Sequence, residues 1–115
     1  MFIYKMKVQV KEEREKEWYH WMCVKHIRDM LNTEHFIDFN FLKLNSNKEA
    51  AGKGYVSYEI EYFCFSEKEY NEYKNENAES LQREHDTRYK EDARASRETY
   101  LDVAITMLEE AKREI

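Results

Sequence analysis

Three groups of side chains in this 115-residue sequence have types and spacings that could do chemistry. Cys23, His26 and Asp29 follow one another at three-residue steps. These are the residue types of a nucleophilic relay, in which a carboxylate orients an imidazole and the imidazole activates a thiol. Such relays draw their members from different elements, whereas residues at i, i+3 and i+6 of one helix fan out around it. A buried thiol beside a locally hydrogen-bonded histidine accounts for the same three residues. Glu17 and His20 repeat the Glu-x-x-His step of di-iron bundles, which also need a second copy and further carboxylates on facing helices. No second copy follows, so neither a metal nor a cofactor is expected. The third group is the most coherent. Trp18, Trp21 and His26 in one helical stretch, His85 and Arg88 in another, and Tyr58 and Tyr62 in a strand could line a pocket between helices and sheet. A small apolar molecule would suit it, and His26 or His85 would be the acid/base if the site were catalytic. The alternative has Trp18 and Trp21 as core and both histidines hydrogen-bonded on their helices.

The elements that must position these residues follow from periodicity. Phe2, Tyr4, Met6, Val8 and Val10 alternate with Ile3, Lys5, Lys7 and Gln9, the two-residue period of a half-buried strand. Trp18, Trp21, Met22, Val24, Ile27, Met30 and Leu31 then recur at helical spacing, with Asn32 as a tolerable left-handed stop. Residues 35–44 read as a second strand that is apolar on both faces, and Asn45 to Gly54 as the turn of a hairpin. The third strand, from Tyr55 to about Phe65, carries Val56, Tyr58, Ile60, Tyr62 and Cys64 on one face. Ser66 and Glu69 form a capping-box pair that opens a second helix with a thin stripe of Tyr70, Tyr73, Ala78, Leu81 and Tyr89. Beyond Glu91 propensity alone would let that helix continue, while Ala95, Arg97, Thr99, Leu101 and Val103 read as one face of a fourth strand.

Charge and composition exclude several classes. Nineteen basic against 24 acidic residues give −5, which disfavours a nucleic-acid surface. Both glycines fall in the hairpin turn, leaving none for a phosphate loop, and Cys23 and Cys64 lack the spacing of a zinc knuckle. No apolar run approaches the roughly 18 residues of a membrane span, and the N-terminus lacks a signal-peptide layout, so a cytoplasmic location is expected. The length suits one domain, taken as 1–104, followed by a short helical tail, 105–115.

The order β-α-β-β-α, closed by the fourth strand, is the ferredoxin-like α+β arrangement: βαββαβ, with a four-stranded antiparallel sheet and two helices on one face. In that topology Lys5 and Lys7 sit opposite or diagonal to Glu59 and Glu61 on the uncovered face. Ile37, Phe39 and Phe41, with Phe63 and Phe65, would form an apolar patch there, and a monomer rarely leaves such a patch wet. A homodimer is expected to cover it.

The stretch Glu17-Trp18-Tyr19-His20-Trp21-Met22, then Lys25-His26-Ile27-Arg28-Asp29-Met30-Leu31-Asn32-Thr33 and His35-Phe36, resembles an uncharacterised bacterial family, the domain of unknown function numbered 4286. Tyr62-Phe63-Cys64 and residues 81–89 also match its pattern, and the similarity runs to about Val103. The resemblance implies a ferredoxin-like fold akin to the dimeric α/β-barrel proteins, with a fourth strand near Ala93 to Val103, and no particular activity. Where family members carry proline and glycine, this sequence has Arg28 and Glu34. The sequence therefore leads to a homodimer of unknown function holding a small apolar molecule, or alternatively to a cofactor-independent monooxygenase or isomerase of the dimeric α/β-barrel type.

Overall fold

Alternation of apolar and polar residues makes the first ten positions a strand, and the computed structural model, which describes residues 1–45 and 54–103, shows it as β1 (Phe2–Lys11). Tyr4, Met6, Val8 and Val10 are buried; Ile3, Lys5, Lys7 and Gln9 occupy the opposite face. β3 (Tyr55–Cys64) repeats the pattern with Tyr58, Ile60, Tyr62 and Cys64 inside. The sheet is completed by β2 (Asp38–Lys43) and β4 (Ala93–Leu101) in the order β2-β3-β1-β4, with every pairing antiparallel. This is the expected ferredoxin-like sheet, and β4 resolves the choice between strand and helix after Glu91. A short 3-10 turn, Lys90–Asp92, separates it from the second helix. The remaining turn residues, 46–53, and the expected helical tail, 105–115, lie outside the described residues.

Each helix is built in three pieces. The first runs as α1 (Glu15–Trp21), a π turn (Met22–His26) and α2 (Ile27–Asn32). The second runs as α3 (Glu67–Tyr73), a π turn (Lys74–Ala78) and α4 (Glu79–Tyr89). Both π turns solve one packing problem. Trp21 and His26 are five residues apart, as are Tyr73 and Ala78, and all four are buried. A regular helix would carry the later residue of each pair off the sheet, whereas an i→i+5 step, such as Ile27 N–H to Met22 O, returns it. Ser66 caps α3, its Oγ accepting the Glu69 N–H at 3.4 Å, as the Ser-x-x-Glu spacing predicts.

The first helix exits differently from the expectation at Asn32. The left-handed residue is Glu34, at φ 68°, and its N–H donates to Leu31 O. This is the position where the family pattern has glycine, so a side chain occupies backbone geometry that glycine adopts without cost.

The core lies between helices and sheet and is unusually aromatic. Trp18, Tyr62, Tyr73 and Tyr89 have almost no exposed surface, and Tyr4 packs within about 6 Å of Phe36, Tyr62, Tyr70 and Tyr73. Register corrects one expectation. Phe39 and Phe41 pair with Tyr62 and Ile60, so both lie on the helix-covered face, and Phe41 packs against Trp18 and Tyr19. The patch on the open face therefore lacks them. Phe63 does lie on the open face, half-buried, while Ile37 precedes β2, is exposed, and donates its N–H to Phe63 O.

The open face is ordered by charge. Lys5 opposes Glu61 and Lys7 opposes Glu59, as expected; Lys5 Nζ lies 3.4 Å from Glu61 and 3.8 Å from Glu59, and Lys7 reaches Glu98 at 3.5 Å. Apolar side chains flank this band, including Ile3 and Tyr100, with the Lys5 ammonium 4.8 Å from the Tyr100 ring.

Candidate functional site

Helical phase brings Trp18, Trp21 and His26 to the underside of the first helix, and α4 brings His85 and Tyr89 to meet them. The result is one packed cluster in which the Trp21 ring lies 5.4 Å from His26, 6.0 Å from His85 and 5.4 Å from Tyr89. Four of the expected pocket residues, Trp18, Trp21, His26 and His85, are therefore together. All are buried, His85 and Trp18 with no exposed surface.

A chain of hydrogen bonds threads the cluster. Trp18 Nε1 donates to His85 Nε2 at 2.9 Å. An indole N–H can only donate, so Nε2 carries no proton and His85 is the neutral Nδ1–H tautomer. That Nδ1–H donates to Asp86 at 2.9 Å, and Asp86 accepts two further bonds from Arg97, at 3.1 and 3.3 Å. Burial holds the His85 pKa below its ordinary value against the opposing pull of Asp86. For Asp86 burial is the largest influence and acts upward, but the bonds from Arg97 and His85 outweigh it and the carboxyl stays below its usual range. Trp18, His85, Asp86 and Arg97 thus form a satisfied polar wire from the sheet-facing core to the surface.

His26 stands beside this wire without joining it. Its ring is stacked on Trp21 and 5.8 Å from His85, and its buried Nδ1 finds no partner among the described residues. Burial first, then the neighbouring His85 and Arg97, bring its pKa down to about 4. A second buried polar atom in the aromatic layer, Tyr62 Oη, is likewise without a partner among the described residues.

The other expected pocket residues lie elsewhere. Tyr58 is buried under Trp18 but directs its hydroxyl outward to Glu15, at 2.5 Å. Tyr62 sits with Tyr4 and Phe36, away from the histidines. Arg88 is exposed, bonded to Glu17 at 2.8 Å, with its guanidinium 5.3 Å above Trp21. Cys23, His26 and Asp29 do not converge: Cys23 is exposed, contrary to the expected buried thiol, and Asp29 is paired with Lys25.

Two sets of polar residues escaped the sequence reading. Asp86 and Arg97 complete the wire, and a charged residue on the covered face of β4 was a signal of it. His35, on the connection from α2 to β2, meets Glu69, Glu72 and Glu76 of the second helix. His35, Glu69 and Glu72 are also the one group of three potential metal ligands found among the described residues. Their separation of more than 30 positions left no local spacing to detect.

The fold recurs in solved structures of low sequence identity. HapK from Hahella chejuensis superimposes with a TM-score of 0.63 at 8% identity, over 90% of this chain and 94% of that one. A dimeric ferredoxin-like protein from an uncultured marine organism gives 0.60 at 8%, over 89% and 94%. A candidate antibiotic biosynthesis monooxygenase from Bacillus cereus gives 0.56 at 18%, over 86% and 89%. No curated protein matches the sequence significantly. No helix among the described residues is long and apolar enough to cross a membrane. One family model matches residues 1–103, nearly the whole of the chain: the chain belongs to the family described as domain of unknown function DUF4286.

Proposed function

We propose that the protein acts as a cytoplasmic homodimer that holds a small, mainly apolar molecule between helices and sheet and does not transform it. The observation that carries the binding reading is His26 Nδ1: a buried polar atom without a partner among the described residues, boxed by the Trp21 and His85 rings. Leaving such a group unpaired costs about 1–3 kcal/mol, which a ligand with one hydrogen-bonding group and an apolar body would recover. The dimer is supported by the open sheet face. It carries Lys5 and Lys7 beside Glu59, Glu61 and Glu98, so the same surface offers both signs of charge to a two-fold related copy. Fold neighbours described as dimeric point the same way.

Catalysis by a monooxygenase or isomerase of this fold is the second reading, favoured by the likeness to the Bacillus cereus protein. It calls for a histidine that substrate and water can reach. His85 has no exposed surface and both of its nitrogens are engaged, which favours binding over turnover.

Native mass spectrometry of the freshly purified chain tests the proposal. The expected spectrum shows twice the chain mass with additional small-molecule mass, and Lys5→Glu shifts it towards monomer while Lys5→Glu/Glu61→Lys restores the dimer. A bare monomer, or a dimer indifferent to Lys5→Glu, would refute the assembly; a dimer that never carries or takes up an apolar molecule would refute the binding.

A further inference from the structure

We propose that His35, Glu69 and Glu72 bind a divalent transition-metal ion of the zinc type, with Glu76 as the positioning residue for the imidazole. Nδ1 of His35 lies 2.9 Å from a Glu69 oxygen and 3.8 Å from a Glu72 oxygen, and one potential ligand atom from each of the three residues falls within 4.8 Å of the others. Ligands held about 2.1 Å from one ion are separated by about 3 to 4 Å, so the cluster is close to a coordination shell. Glu69 and Glu72 sit at i and i+3 on α3, and their side chains are 37% and 40% exposed. Both are free to adjust and to leave positions for water.

The imidazole, by contrast, is fixed. His35 is 12% exposed at its side chain and is followed by Phe36, buried in the core. Its backbone N–H donates to Thr33 Oγ1, and that hydroxyl donates to Met30 O. Its second ring nitrogen, Nε2, lies 3.1 Å from Glu76, one turn further along the helix. A carboxylate on the far nitrogen of a ligating histidine sets the tautomer and aims the near nitrogen at the ion. Here that arrangement leaves Nδ1 facing two carboxylates. The charge count agrees. Three carboxylates around one imidazolium leave two negative charges uncompensated within the cluster, and a divalent ion with neutral imidazole leaves one. Mixed nitrogen and carboxylate ligation favours zinc over calcium, which prefers an all-oxygen shell of six to eight ligands.

Calorimetric titration of the full chain with zinc chloride, and separately with calcium chloride, tests the site. One zinc ion per chain is expected, with calcium binding weaker. His35→Ala and Glu69→Gln should weaken zinc by at least about 10-fold and Glu76→Gln by about 10-fold, with circular dichroism unchanged. Because Glu76 acts through His35, cobalt absorption is the second readout: its visible bands should shift in Glu76→Gln and return in Glu76→Asp. Absence of zinc binding, zinc binding that survives His35→Ala, or calcium binding as tight as zinc would each overturn the assignment.

Discussion

Acidification should destabilise this fold through His26, and the size of the effect follows from where the ring sits. His26 is 3% exposed, stacked on Trp21, and faces His85 and Arg97, which oppose its charge, and Asp29 and Asp86, which favour it. The net result is a folded-state pKa of about 4 against an ordinary 6.5. The folded chain therefore takes up this proton later than the unfolded chain as pH falls. Stability from the neutral ring is complete above 6.5, declines as pH drops from 6.5 towards 4, and falls no further below that. At about 1.4 kcal/mol per pH unit the loss is about 3 kcal/mol, an order-of-magnitude value for a well-buried group. Glu15, Glu17 and Asp86, whose pKa values are also lowered, lose stability near the acid end of the same range. The His26→Phe variant isolates the histidine, since phenylalanine can stack on Trp21 and cannot titrate. Urea unfolding at fixed protein concentration, followed by tryptophan fluorescence from pH 7.5 to 4, should show the parent chain losing about 3 kcal/mol more than His26→Phe. If the two lose stability in parallel, within about 0.5 kcal/mol, the burial argument for His26 is wrong.

Two other substitutions probe the frame. Trp18→Phe shortens a fully buried ring system and removes the indole N–H, leaving His85 Nε2 buried and unpaired; chemical denaturation should report a loss of at least about 2 kcal/mol. Glu34→Gly relieves the left-handed backbone at φ 68° and should raise stability by about 0.5 kcal/mol, since the strain removed exceeds the added freedom of the unfolded chain. A decrease would show that the Glu34 side chain contributes contacts that outweigh its strain.

The strands and helices were legible because period determines them. Tyr4 to Val10 and Tyr58 to Cys64 alternate cleanly, and the opposed signs of Lys5, Lys7, Glu59 and Glu61 agreed with the pairing that the topology gave without choosing between opposite and diagonal. Strand two was legible as a strand but not in its facing. Residues 36–42 are apolar at both parities, so alternation could not say which side Phe39 and Phe41 would take, and pairing with Tyr62 and Ile60 decided it. The meeting of Trp18, Trp21, His26 and His85 followed from placing both helices on one sheet face. Their hydrogen bonding did not. The Trp18–His85 bond spans 67 positions and His35–Glu76 spans 41, and no local spacing encodes either. Cys23 was misplaced because a free cysteine is most often buried, whereas helical phase alone turns it away from Trp18, Trp21 and Met22.

Those two turns also constrain how this sequence can drift. Each helix carries one residue more than a regular helix of the same reach, close to its midpoint and against the same sheet. A single-residue deletion within Lys74–Ala78 would leave a chain fully able to form a helix. That deletion would turn the π turn into a regular one and keep His85 and Tyr89 on the core, whereas a deletion elsewhere in the helix would rotate everything after it by about 100 degrees. The same holds at Met22–His26, where a deletion would leave Ile27 and Met30 facing the sheet. Loss of one residue is thus tolerable inside either π turn and not elsewhere in these helices, and homologues lacking an extra residue should keep their buried aromatic residues in the same places.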